Sequence, residues 1–218
     1  MKRALIILSG GLDSTVLAHD IVARGEKQLA AVSFDYGQKH TRELECAAKQ
    51  ADILHIEHQV ITLPFINELF SSALLQSGDE LPEGHYEDDN MKQTVVPNRN
   101  MIMLSIAAGI AISQQRTELF YGAHGGDHAI YPDCRPNFVE AMKRALHLCD
   151  WQKLKLHVPY LHDDKAMIVA HGLSLNVDFA QTWTCYAGGA HPCGKCGSCV
   201  ERVEAFALNK ATDPLLTI

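Results

Sequence analysis

Residues 4–17 read ALIILSGGLDSTVL, and this stretch predicts the fold. Residues 4–8 form a short, unbroken apolar run rich in branched side chains, which is typical of a strand buried on both faces of a parallel sheet. Apolar side chains then recur at helical spacing from Val16, and Asp13 or Ser14 is placed to cap the helix start. A strand, a glycine turn and a helix N-terminus therefore meet, which predicts an anion site.

The loop SGGLDS, residues 9–14, differs from two familiar phosphate-binding loops. It lacks the lysine of a Walker A loop, and adjacent Gly10 and Gly11 do not supply the GxGxxG of a dinucleotide fold. Small hydroxyls and glycines around one carboxylate resemble the PP-loop of the ATP pyrophosphatase superfamily, whose members cleave ATP between the α and β phosphates. The alternative is a tight turn without a ligand. The resemblance implies an ATP site made of Leu8, Ser9, Gly10, Gly11, Leu12, Asp13, Ser14, Thr15, Phe34 and Arg99, with Asp13 positioning magnesium.

The composition favours an enzyme acting on small molecules. The 218 residues suffice for one α/β domain with a small appendage, and 19 basic against 26 acidic residues give a net charge of −7. This charge disfavours nucleic acid as a partner. The N-terminus lacks the features of a signal peptide, and no stretch approaches the roughly 20 apolar residues of a membrane helix. We therefore expect a cytoplasmic protein without a membrane partner.

Strand and helix patterns alternate along the chain. Further strands are predicted near residues 29–34, 57–63, 118–121 and 157–159, and helices near residues 41–51, 98–112, 136–148 and 163–171. This order predicts an α/β fold with a doubly wound parallel sheet, whose ligands bind at the carboxyl ends of the strands. Asn98 or Asn100 is placed to cap its helix. Residues 77–94 are acidic and turn-rich, which indicates either a surface lid or a disordered insertion.

The C-terminal region concentrates four of the seven cysteines. Cys185, Cys193, Cys196 and Cys199 include a C-x2-C-x2-C run, whose glycines let the thiolates converge on one ion. This pattern predicts a structural zinc site. An iron–sulfur cluster is the alternative to zinc, and His191 is the alternative to one of the cysteine ligands. Cys46 and Cys149 fall on predicted helices and are expected in the core. We therefore expect a domain over 1–180 and a zinc-binding region over 181–218, packed as one structural unit.

Six motifs narrow the resemblance to one family. They are SGGLDST (9–15), FDYGQKH (34–40), VPNRN (96–100), YPDCRPNF (131–138), TWTCY (182–186) and CGKCGSCVERVEAF (193–206). Their combination resembles the 7-cyano-7-deazaguanine (preQ0) synthase family of queuosine biosynthesis. The resemblance implies an adenine nucleotide alpha hydrolase-like fold, a homodimer, and a ligase that forms C–N bonds. The reaction that the resemblance implies converts 7-carboxy-7-deazaguanine and ammonia to the nitrile through adenylated carboxylate and amide intermediates, and it releases AMP and diphosphate.

The resemblance also implies roles for individual residues. The expected catalytic residues are Asp13, Ser14, Arg99 and Lys165, although Arg99 as a surface residue and Lys165 as a solvated one are the alternatives. Asp127 or Asp133 is expected to accept the N–H donors of the base, and Tyr131 to stack or close the pocket. The expected substrate-binding residues are Tyr36, Gln38, His124, Asp127, Tyr131, Asp133 and Arg135, with turn or salt-bridge roles as alternatives for Tyr36, Gln38 and Arg135.

One loop departs from the family pattern. Residues 124–130 read HGGDHAI, where the commoner pattern has an acidic residue, Asp-Phe or Asp-Tyr, and Ser-Gly. An amide-forming branch, or one serving DNA modification, therefore stays open. Two other functions compete: a PP-loop enzyme that thiolates tRNA, which would need free cysteines and a basic surface, and a zinc-stabilised nucleotide-binding module without turnover.

Overall fold

Five parallel strands form the centre of the molecule, and the computed structural model describes residues 2–25 and 27–215. The strands are β1 (Lys2–Ile7), β2 (Lys27–Asp35), β3 (Glu57–Thr62), β4 (Glu118–Phe120) and β5 (Lys155–His157). Their order in the sheet is β3-β2-β1-β4-β5, and every pairing is parallel. From β1 the chain adds β2 and β3 on one side and then β4 and β5 on the other side. The predicted doubly wound sheet is therefore confirmed.

Helices cover both faces of this sheet. They are α1 (Leu12–Ala23), α2 (Arg42–Ile53), α3 (Pro64–Leu69), α4 (Arg99–Ser113), α5 (Pro136–Leu148), α6 (Lys165–Ser174) and α7 (Gly197–Leu208). Leu5 of β1 packs with side chains of α4 and α5, whereas Ala4 and Ile6 pack with side chains of α1, α2, α6 and α7. Successive β1 residues thus enter two different cores, which explains why residues 4–7 of this strand are all apolar.

Several local predictions need correction. Gly11 is the N-cap of α1, and neither Asp13 nor Ser14 caps it; the Asp13 carboxylate instead binds a distant lysine. Asn98 is the N-cap of α4 without a side-chain cap bond, and the Asn100 side chain donates to the Cys134 thiol. Capping rules are local, whereas tertiary partners decide where these side chains turn.

The other differences concern the surface and the C-terminal region. Cys46 is buried as expected, but Cys149 lies exposed after the end of α5, so its predicted place in the core is wrong. Helices α3 and α7 were not predicted, and β5 begins two residues before its predicted position. Residues 77–94 pack against the cysteine-rich region, where the Gly84 N–H donates to the Lys195 carbonyl. Among the described residues, no helix is long and apolar enough to span a bilayer.

Candidate active site

A cavity of about 220 Å³ opens where β1, β2 and β4 end. Its position agrees with the rule that ligands of doubly wound sheets bind beyond the carboxyl ends of the strands, where the strand order reverses. The cavity collects ten of the residues predicted from sequence: Ser9, Gly11, Asp13, Ser14, Phe34, Tyr36, Arg99, Asp127, Tyr131 and Lys165.

The PP-loop forms one wall and is held in a tight turn. Gly10 has a φ of +81°, and a Cβ at this position would collide with the Glu43 carbonyl and the Ala47 backbone of α2. Inside the turn, the Ser9 and Ser14 hydroxyl oxygens lie 3.0 Å apart, and the Ser9 hydroxyl accepts the Gly11 N–H at 3.2 Å. The loop therefore presents the start of α1, whose first N–H groups have no intrahelical partner, to the cavity.

A buried lysine joins two carboxylates beside this loop. Lys165 Nζ lies 2.7 Å from Asp13 Oδ2 and 3.2 Å from Glu201 Oε2. Burial alone would lower the pKa of Lys165, but the two carboxylates outweigh it and raise this pKa, so the ammonium stays charged. Burial also works to raise the pKa of Asp13, yet the attraction of Lys165 and His124 holds it below the usual value. Asp13 is therefore an anion at neutral pH.

His124 is locked beside this cluster. Its Nδ1 accepts the Gly126 N–H at 3.1 Å, which places the proton of the neutral ring on Nε2. Nε2 faces Asp13 Oδ2 at 3.8 Å and Asp127 Oδ1 at 3.6 Å. His124 is buried and lies behind Asp13 and Asp127, so it orients carboxylates that line the cavity.

Aromatic side chains form the opposite wall. Arg99 donates to the Tyr36 hydroxyl at 3.2 Å and lies 5.7 Å from the centre of the Tyr36 ring. Burial raises the pKa of Tyr36 to about 12, although the charge of Arg99 opposes this shift, so the phenol is neutral. Among the described residues, no carboxylate lies within ion-pair distance of Arg99, which leaves its charge available to a phosphate or carboxylate.

Tyr131 connects the cavity to two other segments. Its hydroxyl lies 2.8 Å from the Thr94 hydroxyl and 3.1 Å from the Tyr186 hydroxyl. Burial raises the pKa of both tyrosines, so these hydroxyls are neutral hydrogen-bonding groups. Tyr131 therefore joins the acidic segment 77–94 to the cysteine-rich region at the edge of the cavity.

Other predicted site residues lie outside the cavity wall. Gln38 is fully buried, and its amide binds the Phe34 carbonyl, the Tyr36 N–H and the Glu43 carboxylate, so it shapes the loop after β2. Asp133 accepts the Asn100 N–H at the start of α4. Arg135 donates to the carbonyls of residues 128 and 129 on the exposed side of its loop. Leu8, Gly10, Leu12 and Thr15 are buried in or behind the PP-loop and do not line the cavity.

Sequence reasoning missed part of the wall. The polar and aromatic lining residues that were not predicted as site residues are His40, Glu43, Asn100, Tyr121, Cys134, Trp183, Thr184, Tyr186, Ser198 and Glu201. His40 lies in the motif FDYGQKH and Glu201 in the motif CGKCGSCVERVEAF. Their place in these motifs was the sequence signal that could have identified them as site residues. Glu201 escaped notice because α7 was not predicted, and only this helix turns the residue toward Lys165.

The four C-terminal cysteines converge as predicted. Their sulfur atoms all lie within 4.8 Å of one another, a spacing that fits four ligands of one ion. Backbone N–H groups point at these sulfurs: Ala187 and Cys193 donate to Cys185 Sγ, and Cys196 donates to Cys193 Sγ. Such donors stabilise thiolate charge. The cluster can therefore hold a metal ion such as zinc.

Trp183 ties this cluster to the PP-loop. Its backbone N–H donates to the Gly10 carbonyl at 2.9 Å, and its indole N–H donates to the Cys185 carbonyl at 2.9 Å. The ring is buried against the cysteines, and the Arg42 guanidinium lies 4.4 Å from its centre. The cysteine-rich region thus supports the turn of the PP-loop directly.

Comparisons with known proteins identify one family over most of the chain. The sequence profile of the family described as queuosine biosynthesis protein QueC matches residues 3–210. Proteins named 7-cyano-7-deazaguanine synthase from Hahella chejuensis and Methanoregula boonei are each 53% identical over 98% of this chain, which covers 92% and 98% of their lengths.

Two solved structures share the fold at low sequence identity. An NMN synthetase from Francisella tularensis superposes with a TM-score of 0.57 at 16% identity, over 96% of this chain and 77% of that one. The U34-tRNA thiolase NcsA from Methanococcus maripaludis, with its [4Fe-4S] cluster, gives 0.53 at 14% identity, over 96% of this chain and 65% of that one. The sequence matches decide the family: this chain belongs to that of the queuosine biosynthesis protein QueC.

Proposed function

We propose that this protein is an ATP-dependent 7-cyano-7-deazaguanine synthase. It converts 7-carboxy-7-deazaguanine and ammonia to the nitrile, as the names of relatives 53% identical to it suggest. The observation that carries the proposal is a single cavity with two kinds of wall. The PP-loop and its buried lysine form one wall, and an aromatic pocket that includes Asp127 and Arg99 forms the other. An adenylating enzyme needs such an arrangement, because ATP and acceptor must meet at one oxygen.

The chemistry accounts for both walls. A carboxylate oxygen and an amide oxygen are poor leaving groups until each is bonded to the α-phosphorus of ATP. Once activated, the carboxylate reacts with ammonia to give the amide, and the activated amide loses AMP to give the nitrile. Orientation of the α-phosphate against the oxygen supplies most of the rate, without a covalent protein nucleophile.

The phosphate wall provides the charges for this transfer. The N–H groups at the start of α1 and the Lys165 ammonium neutralise the departing diphosphate, and Arg99 stabilises charge on the α-phosphate. Asp13 Oδ1 is buried and has no hydrogen-bond partner among the other described residues, so this oxygen fits a magnesium ion bound with ATP. When bound, magnesium supplies further positive charge at the phosphates.

The aromatic wall suits the deazaguanine base. Asp127 would accept its ring and amino N–H groups, while Tyr36 and Tyr131 give the planar ring apolar faces. Asp133, the alternative acceptor, already binds the start of α4 and lies outside the cavity. We therefore assign recognition of the base to Asp127.

Further parts of the proposal concern the metal and the assembly. We assign zinc to the four cysteines, because four convergent thiolates without an open position fit a structural zinc site. Ammonia as the nitrogen donor and a homodimer follow from the family resemblance. Sedimentation of the zinc-loaded protein would test the dimer.

Mass spectrometry of one reaction tests the function. The zinc-loaded protein is incubated with ATP, magnesium, ammonium and 7-carboxy-7-deazaguanine, and AMP, amide and nitrile are measured together. We expect nitrile and about two AMP per nitrile, since two oxygens are activated. Asp13→Ala should abolish both, whereas Asp52→Ala, which removes an exposed carboxylate on α2, should change neither.

Other outcomes would contradict the proposal in recognisable ways. Amide without nitrile would indicate an amide-forming branch, to which the HGGDHAI loop contributes. AMP released only when tRNA is added would favour the tRNA-modifying alternative. ATP bound without AMP release would favour a binding module.

A further inference from the structure

Beside the PP-loop, a histidine and a glutamate of the cavity wall have no role in the mechanism described so far. His40 is buried and lines the cavity, and its Nε2 lies 3.3 Å from Glu43 Oε2. This separation favours the ring tautomer with its proton on Nε2, facing the carboxylate. Nδ1 is then the unprotonated nitrogen, and it is buried without a hydrogen-bond partner among the described residues.

The pair is held firmly in place. The second oxygen of Glu43 accepts the Gln38 amide at 2.9 Å, and Gln38 is itself fixed by the backbone of residues 34 and 36. The other side of the His40 ring packs against Tyr186, with ring centres 5.7 Å apart. A buried chain from Gln38 through Glu43 thus orients the imidazole.

The position of the pair relative to ATP follows from Gly10. The Cα of this PP-loop glycine approaches the Glu43 carbonyl so closely that a Cβ would not fit. The start of α2, which carries Glu43, therefore packs directly on the proposed phosphate-binding turn. His40 precedes this helix and shares the cavity with the loop.

From this geometry we propose that His40 is the proton acceptor of the two AMP-releasing steps and that Glu43 positions it. This inference rests on the proposed function. When ammonia attacks the activated carbonyl carbon, a C–N bond forms, the C–O bond to AMP breaks, and one N–H proton moves to His40 Nδ1. When the activated amide becomes the nitrile, one N–H proton leaves as the C=N double bond forms, and the last leaves as the C≡N triple bond forms and the second AMP departs. His40 passes each proton to water.

Other titratable groups in the cavity suit this task less well. Both nitrogens of His124 are engaged, because Nδ1 accepts the Gly126 N–H and Nε2 faces two carboxylates. Lys165 is held protonated between its carboxylates. His40 combines a nitrogen without a hydrogen-bond partner among the described residues with a carboxylate that orients its other nitrogen, which is the geometry of a positioned general base.

A step-resolved assay tests the proposal. Exchange of labelled diphosphate into ATP reports formation of the acyl-adenylate, which needs no proton acceptor, and formation of the amide and nitrile reports the later steps. His40→Gln keeps an amide donor for Glu43 but cannot accept a proton. We expect exchange within about threefold of wild type and a fall of roughly 10²-fold or more in amide and nitrile formation, the range typical of general bases.

Three further measurements sharpen this test. Hydroxylamine is more reactive than ammonia, and the adduct it forms has a more acidic N–H that loses its proton to water more readily, so His40→Gln should still form the hydroxamate at a rate close to wild type. Glu43→Gln should retain exchange and lose part of amide formation, because it removes the charge and its single amide oxygen can accept from only one of the two N–H groups, those of Gln38 and His40, that Glu43 holds. His58→Gln, at a half-buried histidine on β3 outside the cavity, should behave as wild type.

The results distinguish this inference from the function on which it rests. Equal loss of exchange and amide formation in His40→Gln, or loss of neither, would overturn the role of His40 while leaving the synthase activity established. Absence of substrate-dependent exchange in the wild-type protein would overturn the proposed function, and the inference with it.

Discussion

Replacement of Gly10 by alanine should reveal how tightly the PP-loop packs on α2. Two terms oppose the substitution. A non-glycine residue at φ +81° costs roughly 1–2 kcal/mol, from which about 0.4–1 kcal/mol is recovered because alanine restricts the unfolded chain. The new Cβ would also collide with backbone atoms of Glu43 and Ala47, and overpacking of this kind typically costs about 1–3 kcal/mol. The free energy of unfolding should therefore fall by roughly 2–4 kcal/mol.

Gly25→Ala supplies the matched control. This glycine also has a positive φ, +63°, but nothing lies within 4 Å of a Cβ built there, so only the backbone term applies, about 1 kcal/mol. Urea unfolding followed by circular dichroism measures both variants. For a chain of this size, roughly 2–4 °C per kcal/mol gives a decrease in Tm of about 4–16 °C for Gly10→Ala and about 2–4 °C for Gly25→Ala. Equal destabilisation of the two variants would refute the argument from close packing.

Three other perturbations test the site. Lys165→Met leaves two largely buried carboxylates without their cation, so the free energy of unfolding in urea titrations should fall by about 3–5 kcal/mol and diphosphate exchange should disappear. Unchanged stability would contradict the ion cluster. Because the pKa of Asp13 in the folded protein lies below its ordinary value of 3.8, its charge stabilises the fold above that pH, and this contribution is lost as the pH falls through the folded pKa. Urea titrations from pH 5 to pH 3 should therefore show a smaller loss of stability for Asp13→Asn than for wild type. Chelation, or Cys196→Ser, should release about one zinc per chain by elemental analysis and lower the Tm by roughly 10 °C, and retention of full stability would argue against a structural ion.

The sheet and the PP-loop could be predicted because their signals are local. An unbroken apolar run, a glycine turn and a helical repeat lie within residues 4–21, and the structure places them as expected. The cysteine cluster was equally accessible, since three of its ligands fall within seven residues and their spacing limits the geometry.

The remaining site depends on contacts between distant residues. Asp13 looked like a helix cap, but a lysine 152 positions later takes its carboxylate. Gln38 looked like a ligand contact beyond β2, whereas its partners are the backbone of its own loop and Glu43. Glu201 and Tyr186 reach the cavity only because the cysteine-rich region folds back onto the PP-loop, which no periodicity in the sequence indicates.

The bond from Trp183 to the PP-loop has a consequence for how such proteins can be rebuilt. The residues after 180 supply Trp183, Thr184, Tyr186, Ser198 and Glu201 to the cavity wall, so this region forms part of the cavity itself. A chimaera that takes residues 181–218 from a distant relative should inherit a mismatched wall even where all four cysteines are retained. Natural recombination or laboratory domain exchange at this boundary should therefore succeed only when the lining residues before and after residue 180 come from closely related proteins.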